Sequence, residues 1–221
     1  MSLSFANRAE AGRALAERLL QMHLAPPIVV LALPRGGVPV GAEVARALGA
    51  ALDLVLVRKI GVPWQRELAV AAVAEGEPPD IVIDAEVQRV TGVSVAYIEA
   101  QAQAELHEIA RRRQIYLKGR APAAVAGCTA IVVDDGIATG TTMRAALRAL
   151  RRRRPARLVL AVPVAPHDTL EALRGEVDQV VCLSQPRPFN AVGQHYDEFH
   201  QVDDAEVIAA LDAASHPLPG K

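Results

Sequence analysis

A chain of 221 residues, about half of them hydrophobic, can bury the core of one α/β domain, and a single domain over 1–221 is expected. A formal net charge of -1 removes any general electrostatic drive toward nucleic acid or an anionic membrane, so the expected ligand is small and any important cation acts locally. The longest apolar runs are strand-length, well short of the roughly 20 residues that span a bilayer, and no export signal is visible at the N-terminus.

The first predicted element is a helix over 8–22, opened by Asn7 with Glu10 as its capping partner and carrying Ala11, Leu15, Leu19 and Met22 on one face. An apolar run at 28–33, a Pro-Arg-Gly-Gly turn, a helical stretch at 38–48 and a second apolar run at 54–57 make a βαβ unit. A less regular segment over 60–77 follows, then a short strand at 81–83 and a long helix over about 94–113. The Ala-rich stretch 119–127 reads as a connector. Beyond it the βα alternation resumes: a strand at 130–133, a Gly and Thr loop, a helix at 141–151, a strand at 158–162, a short helix near Leu170 and a strand at 180–183. Runs bordered by helices on both sides predict an α/β fold with a mainly parallel central sheet buried on both faces. The four arginines 151–154 suit a helix C-terminus, where cations complement the dipole. Cys128 and Cys182 sit in or beside apolar runs without metal or redox spacing, which fits buried thiols in a reducing cytoplasm.

The chemistry concentrates at 131–142, which reads IVVDDGIATGTT: a buried strand, two carboxylates, then a turn into a helix. Unpaired amides of a helix start form an anion cradle, and Gly136 and Gly140 allow close backbone approach. Thr139, Thr141 and Thr142 add hydroxyls, while Asp134 and Asp135 can accept hydrogen bonds from vicinal ribose hydroxyls. Two other phosphate loops fail on spacing. A nucleotide-hydrolase loop needs GxxxxGK[ST], and no lysine follows Gly140; a dinucleotide fingerprint needs GxGxxG, whereas the first turn here holds Gly36, Gly37 and Gly41.

The stretch VVDDGIATGTT resembles the phosphoribosyl pyrophosphate (PRPP) signature of type I phosphoribosyltransferases. The resemblance implies that family's fold, a core over about 28–183 and a small C-terminal hood over about 184–202. It places Asp134 and Asp135 on the ribose hydroxyls and Gly136, Ile137, Ala138, Thr139, Gly140, Thr141 and Thr142 on the 5-phosphate. At the other strand-to-helix turn, Arg35 can reach a phosphate while Gly36 and Gly37 expose amides; the stretch 33–49 is similar to the pyrophosphate loop of xanthine-guanine enzymes, which implies a strained peptide near Arg35 and Gly36. Arg58 and Lys59 resemble the Arg-Lys pair that lies against the donor pyrophosphate in adenine enzymes. The residues from Trp64 to Leu68 resemble a mobile loop, with Glu67 and Lys59 as catalytic candidates beside the Asp pair, and closure of such a loop would exclude water. Mg2+ is the implied cofactor, held mainly through PRPP and water with no direct protein ligand. A homodimer is implied by the family's habit.

Enzymes acting on 6-oxopurines commonly carry an Asp where this chain has Ala138, so the acceptor stays open. Three of the chain's seven aromatic residues, Phe189, Tyr196 and Phe199, fall within 185–202; they can stack on a planar acceptor or pack a lid onto the core. The expected function is a pentosyltransferase of nucleotide metabolism that moves the phosphoribosyl group from PRPP to a nitrogenous acceptor. The alternative is a regulator that binds PRPP without turnover; a phosphoester-cleaving domain lacks a nucleophile or metal cluster to support it.

Overall fold

The computed structural model describes residues 4–76 and 78–215. The chain runs α1 (Arg8–Leu20), β1 (Ile28–Ala32), α2 (Gly37–Leu48), β2 (Ala51–Leu54), β3 (Val57–Val62), β4 (Gln65–Ala74), β5 (Asp80–Ile83), α3 (Ala85–Thr91) and α4 (Val95–Leu117). It continues with β6 (Thr129–Val133), α5 (Thr141–Arg152), β7 (Arg157–Val164), α6 (His167–Leu173), β8 (Gln179–Ser184) and α7 (Asp204–Ser215). The strands β2-β1-β6-β7-β8 form a five-stranded sheet, parallel throughout. The expected α/β architecture, a parallel central sheet flanked by helices, is the one observed.

The period-2 alternation of strand side chains divides β6 between two cores. Ile131 and Val133 face one side, packing with Leu15 and Leu19 of α1 and Val40 and Val44 of α2. Ala130 and Val132 face the other, with Met143, Leu147 and Leu150 of α5. Both faces are covered, so the strand reads as an unbroken apolar run rather than an alternating one. Parallel pairing also aligns the strand ends: Ala32 of β1 lies opposite Val133 of β6, so the turns that follow these strands sit side by side.

The segment 60–77 departs from the irregular stretch expected of it. Residues 57–62 and 65–74 pair antiparallel, turning at Pro63 and Trp64, and β5 adds the third strand of a second sheet. The run AVAAVA hid this strand because its small side chains show no polar alternation, and burial on both faces explains why. Val70, Ala71 and Val73 pack in the cluster containing Ile98 and Ile109 of α4, while Ala72 and Ala74 meet Ala145 and Ala149 of α5. Methyl-sized residues let α5 approach this sheet closely. The chain also leaves the parallel sheet earlier than expected, at Leu54, so Arg58 and Lys59 lie inside β3 rather than at a strand end. Two helices, α3 and α7, were not expected; Asp84 caps α3 by accepting from the amides of Glu86 and Val87.

Candidate active site

β6 delivers Asp134 and Asp135 to the C-terminal edge of the parallel sheet. Asp134 turns inward, where its Oδ1 accepts the Asp135 backbone N–H at 2.9 Å. Burial, and secondarily the charge of Asp135, push the Asp134 carboxyl well above the usual aspartate range. Asp135 turns toward a cleft of about 310 Å³ whose walls include Arg8, Arg35, Gly36, Phe199 and the segment 200–202. Its side chain retains 13% exposure, and its Oδ2 accepts from Arg8 Nε at 2.8 Å.

The two turns interlock through their glycines. A Cβ on Gly36 would overlap the Asp135 carboxylate, and one on Gly37 would lie 2.8 Å from the Val133 carbonyl oxygen and 2.9 Å from Asp134 Cα. Arg35, joined to Pro34 by a cis peptide, projects into the cleft with its NH1 3.7 Å from Asp204 Oδ1 of α7. After Asp135, Gly136 packs so closely that a Cβ would stand 2.6 Å from Val192 Cγ1. The Ile137 amide donates to the Val164 carbonyl at 3.0 Å, and the Ala138 carbonyl accepts from Thr169 Oγ1 at 2.8 Å, which pins the loop to β7 and α6. Gly140 then takes φ of 80° and opens α5 without a side-chain cap. The Thr142 hydroxyl is buried and makes no hydrogen bond among the described residues. An uncapped helix start beside an unpaired buried hydroxyl has donors to offer an anion.

Segments near both ends of the chain build the hood over this edge. The Phe5 N–H donates to the His195 carbonyl, Asp197 N–H to the Phe5 carbonyl, and Glu198 N–H to the Ala6 carbonyl, each at 2.9 Å. Tyr196 is only 5% exposed; its ring lies 5.7 Å from Phe5 and 5.2 Å from Phe199, and its hydroxyl donates to the Asp135 carbonyl at 2.6 Å. That burial lifts the phenol above its usual range. Tyr196 therefore braces the Asp135 backbone rather than offering an open ring face. Phe189 stacks on His195 at 5.5 Å, and Phe199, 40% exposed, carries the Arg8 guanidinium 3.9 Å from its ring centroid.

The structure thus brings the Asp pair, the loop 136–142, Arg35, Gly36 and Gly37 to one edge. Arg58, Lys59 and Glu67 stand apart in the second sheet: Arg58 Nε donates to Glu105 at 2.7 Å, Lys59 and Glu67 are exposed, and none of the three lines the cleft. Arg8 is the cleft residue that pattern reading overlooked. A signal for it exists, because Arg8 heads the same helical stripe as Ala11, Leu15 and Leu19, and a cation on a buried stripe needs a partner.

A parallel sheet with glycine-rich turns side by side on adjacent strand ends, one of them following an Asp pair, is the frame of this site. The comparisons with known proteins agree. Residues 5–198 match the model of the phosphoribosyl transferase domain, and the chain belongs to that family. It is 46% identical over 210 residues, 95% of its length, to a Mycobacterium tuberculosis (strain H37Rv) protein provisionally named a phosphoribosyl transferase. The chain spans about half the length of the curated relatives it matches, covering 47% of that protein. Among solved structures, TT1426 from Thermus thermophilus is 42% identical with a TM-score of 0.80, covering 95% of this chain and 98% of that one. AQ2163 from Aquifex aeolicus, at 12% identity and a TM-score of 0.50 over 84% of this chain and 78% of its own, shares the fold alone.

Proposed function

We propose that this domain transfers the 5-phosphoribosyl group from PRPP to a nitrogen of a base-like acceptor and releases pyrophosphate. The observation that carries the reading is the juxtaposition of the Asp134–Asp135 strand end with the uncapped start of α5 and the unpartnered Thr142 hydroxyl. In this reading Gly136 through Thr142 hold the 5-phosphate, and Asp135, backed by Asp134, accepts from the ribose hydroxyls. Arg35 and the amides of Gly36 and Gly37 grip the pyrophosphate as the bond from the anomeric carbon to its oxygen breaks and the acceptor nitrogen bonds to that carbon. Charge stabilisation and alignment supply most of the rate.

Roles for Arg58, Lys59 and Glu67 require the hairpin of β3 and β4 to move toward the cleft, since none of them lines it as it stands. Of the three stacking candidates Phe199 lines the cleft, whereas Phe189 lies against His195 and Tyr196 is committed to the Asp135 carbonyl, so acceptor stacking falls to Phe199. Carboxylate oxygens at the strand end suit a hard cation. Mg2+ would accordingly ride on the donor and water beside Asp135, supplying neutralisation of the leaving pyrophosphate.

Calorimetric titration with PRPP and Mg2+, followed by an acceptor panel scored by pyrophosphate release, tests the proposal. Release with at least one purine, pyrimidine or related nitrogen heterocycle is expected. Tight donor binding with no release would favour a PRPP-responsive regulator. Replacing both Asp134 and Asp135 by Ala should weaken donor binding at least about tenfold, the scale of one or two charge-assisted hydrogen bonds; unchanged binding would remove the site assignment.

A further inference from the structure

Asp135 is held at both ends by groups that do not belong to its own loop. Its carbonyl accepts from the Tyr196 hydroxyl at 2.6 Å, and its Oδ2 accepts from Arg8 Nε at 2.8 Å. Arg8 itself is only 7% exposed, donates from NH1 to the His200 carbonyl at 2.8 Å, and lies over the Phe199 ring. A buried guanidinium carries a desolvation cost, and the start of α1 does not require one, since Asn7 already caps the helix by accepting from the Glu10 amide. One side chain therefore ties together the first helix, the hood and the carboxylate beside the phosphate loop.

We propose that Arg8 is a positioning residue for phosphoribosyl transfer. Its fork fixes the rotamer of Asp135, holding Oδ2 so that Oδ1 is left to accept from a ribose hydroxyl, and it makes that alignment depend on the hood being seated. The planar guanidinium suits this duty because its donors point in fixed directions toward two acceptors while its face rests on an aromatic ring. The inference rests on the assignment of Asp135 to the donor ribose.

A double-mutant cycle in PRPP and Mg2+ binding, followed by calorimetry, tests it. Arg8→Gln alone should weaken binding about tenfold, and Asp135→Asn alone by at least as much. In the Asp135→Asn background, Arg8→Gln should add almost nothing, because the residue acts through that carboxylate. Arg8→Lys, which keeps the charge and loses the fork, should bind with an affinity between Arg8→Gln and the parent protein; should Arg8→Gln fail to fold, the same cycle run with Arg8→Lys decides. Equal losses in both backgrounds would reduce Arg8 to a structural support of the hood and overturn the proposal. Tighter binding by Arg8→Gln would also overturn it, showing that the arginine merely fills the sugar position. If Asp135→Asn alone left binding unchanged, the donor-site reading would fall first and this inference with it.

Discussion

The turns after β1 and β6 are built on one plan, yet Gly36 in the first and Gly140 in the second are glycine for different reasons. Each links a buried parallel strand to a helix without a side-chain cap, and they are neighbours because Ala32 and Val133 share a register. In the first turn Gly36 has φ of -60°, an ordinary helical value that any residue adopts; it is glycine because the Asp135 carboxylate occupies the space a Cβ would take. In the second, Gly140 has φ of 80°, a left-handed conformation that costs other residues energy wherever they sit. One glycine answers a neighbour and the other answers its own backbone. A site assembled from two turns therefore needs two tests, one for contact and one for conformation.

The sharpest way to break the comparison is Gly36→Ala, whose methyl must displace the Asp135 carboxylate. PRPP affinity should fall by an order of magnitude or more, about 1.5–3 kcal/mol for disturbing hydrogen bonds to a charged group, with a smaller change in thermal stability. Equal losses in binding and melting temperature would mean that the turn is a folding element first. Gly140→Ala should show the reverse ranking: about 1–2 kcal/mol of stability lost to the left-handed backbone, readable by denaturant unfolding, with a further contribution from Thr169 Cγ2 standing 2.9 Å from the new Cβ. A variant as stable as the parent would show that the φ of 80° is not demanded by the fold.

The smallest expected effect concerns Asp134. Its carboxyl titrates above the ordinary aspartate range because of burial and the neighbouring Asp135 charge, so the native state keeps a proton that the unfolded chain has released. Stability from this group is fully present below the ordinary aspartate range and is lost as pH rises through the native value. Asp134→Asn removes that dependence and should gain stability relative to the parent as pH rises above the ordinary aspartate range, as measured by melting curves. A difference that stays constant over that rise would contradict the inward, desolvated placement of Asp134.

Much of the molecule was legible without coordinates. The apolar runs of β1, β6 and β7 announced a parallel sheet because strands covered on both faces need no polar alternation. The string from Asp134 to Thr142 announced its loop because carboxylates, glycines and hydroxyls in that order have few structural uses. The second sheet was obscured, since alanines selected for close approach to α5 carry little pattern. The N-terminal share of the hood was obscured for a different reason: Phe5 and Tyr196 meet as an isolated bridge between segments far apart in the chain.

Local composition determined the strands of the parallel sheet, where the Gly- and Thr-rich loop after β6 lies and that two acids precede it, because periodicity, turn chemistry and helix starts are short-range properties. Tertiary structure alone decided that Asp134 turns inward while Asp135 faces the cleft, that Gly36 guards the carboxylate, and that Arg8 and Tyr196 hold it from the far ends of the chain. Those outcomes depend on packing and desolvation among residues more than a hundred positions apart for Arg8 and about sixty for Tyr196, separations at which local pattern carries no information.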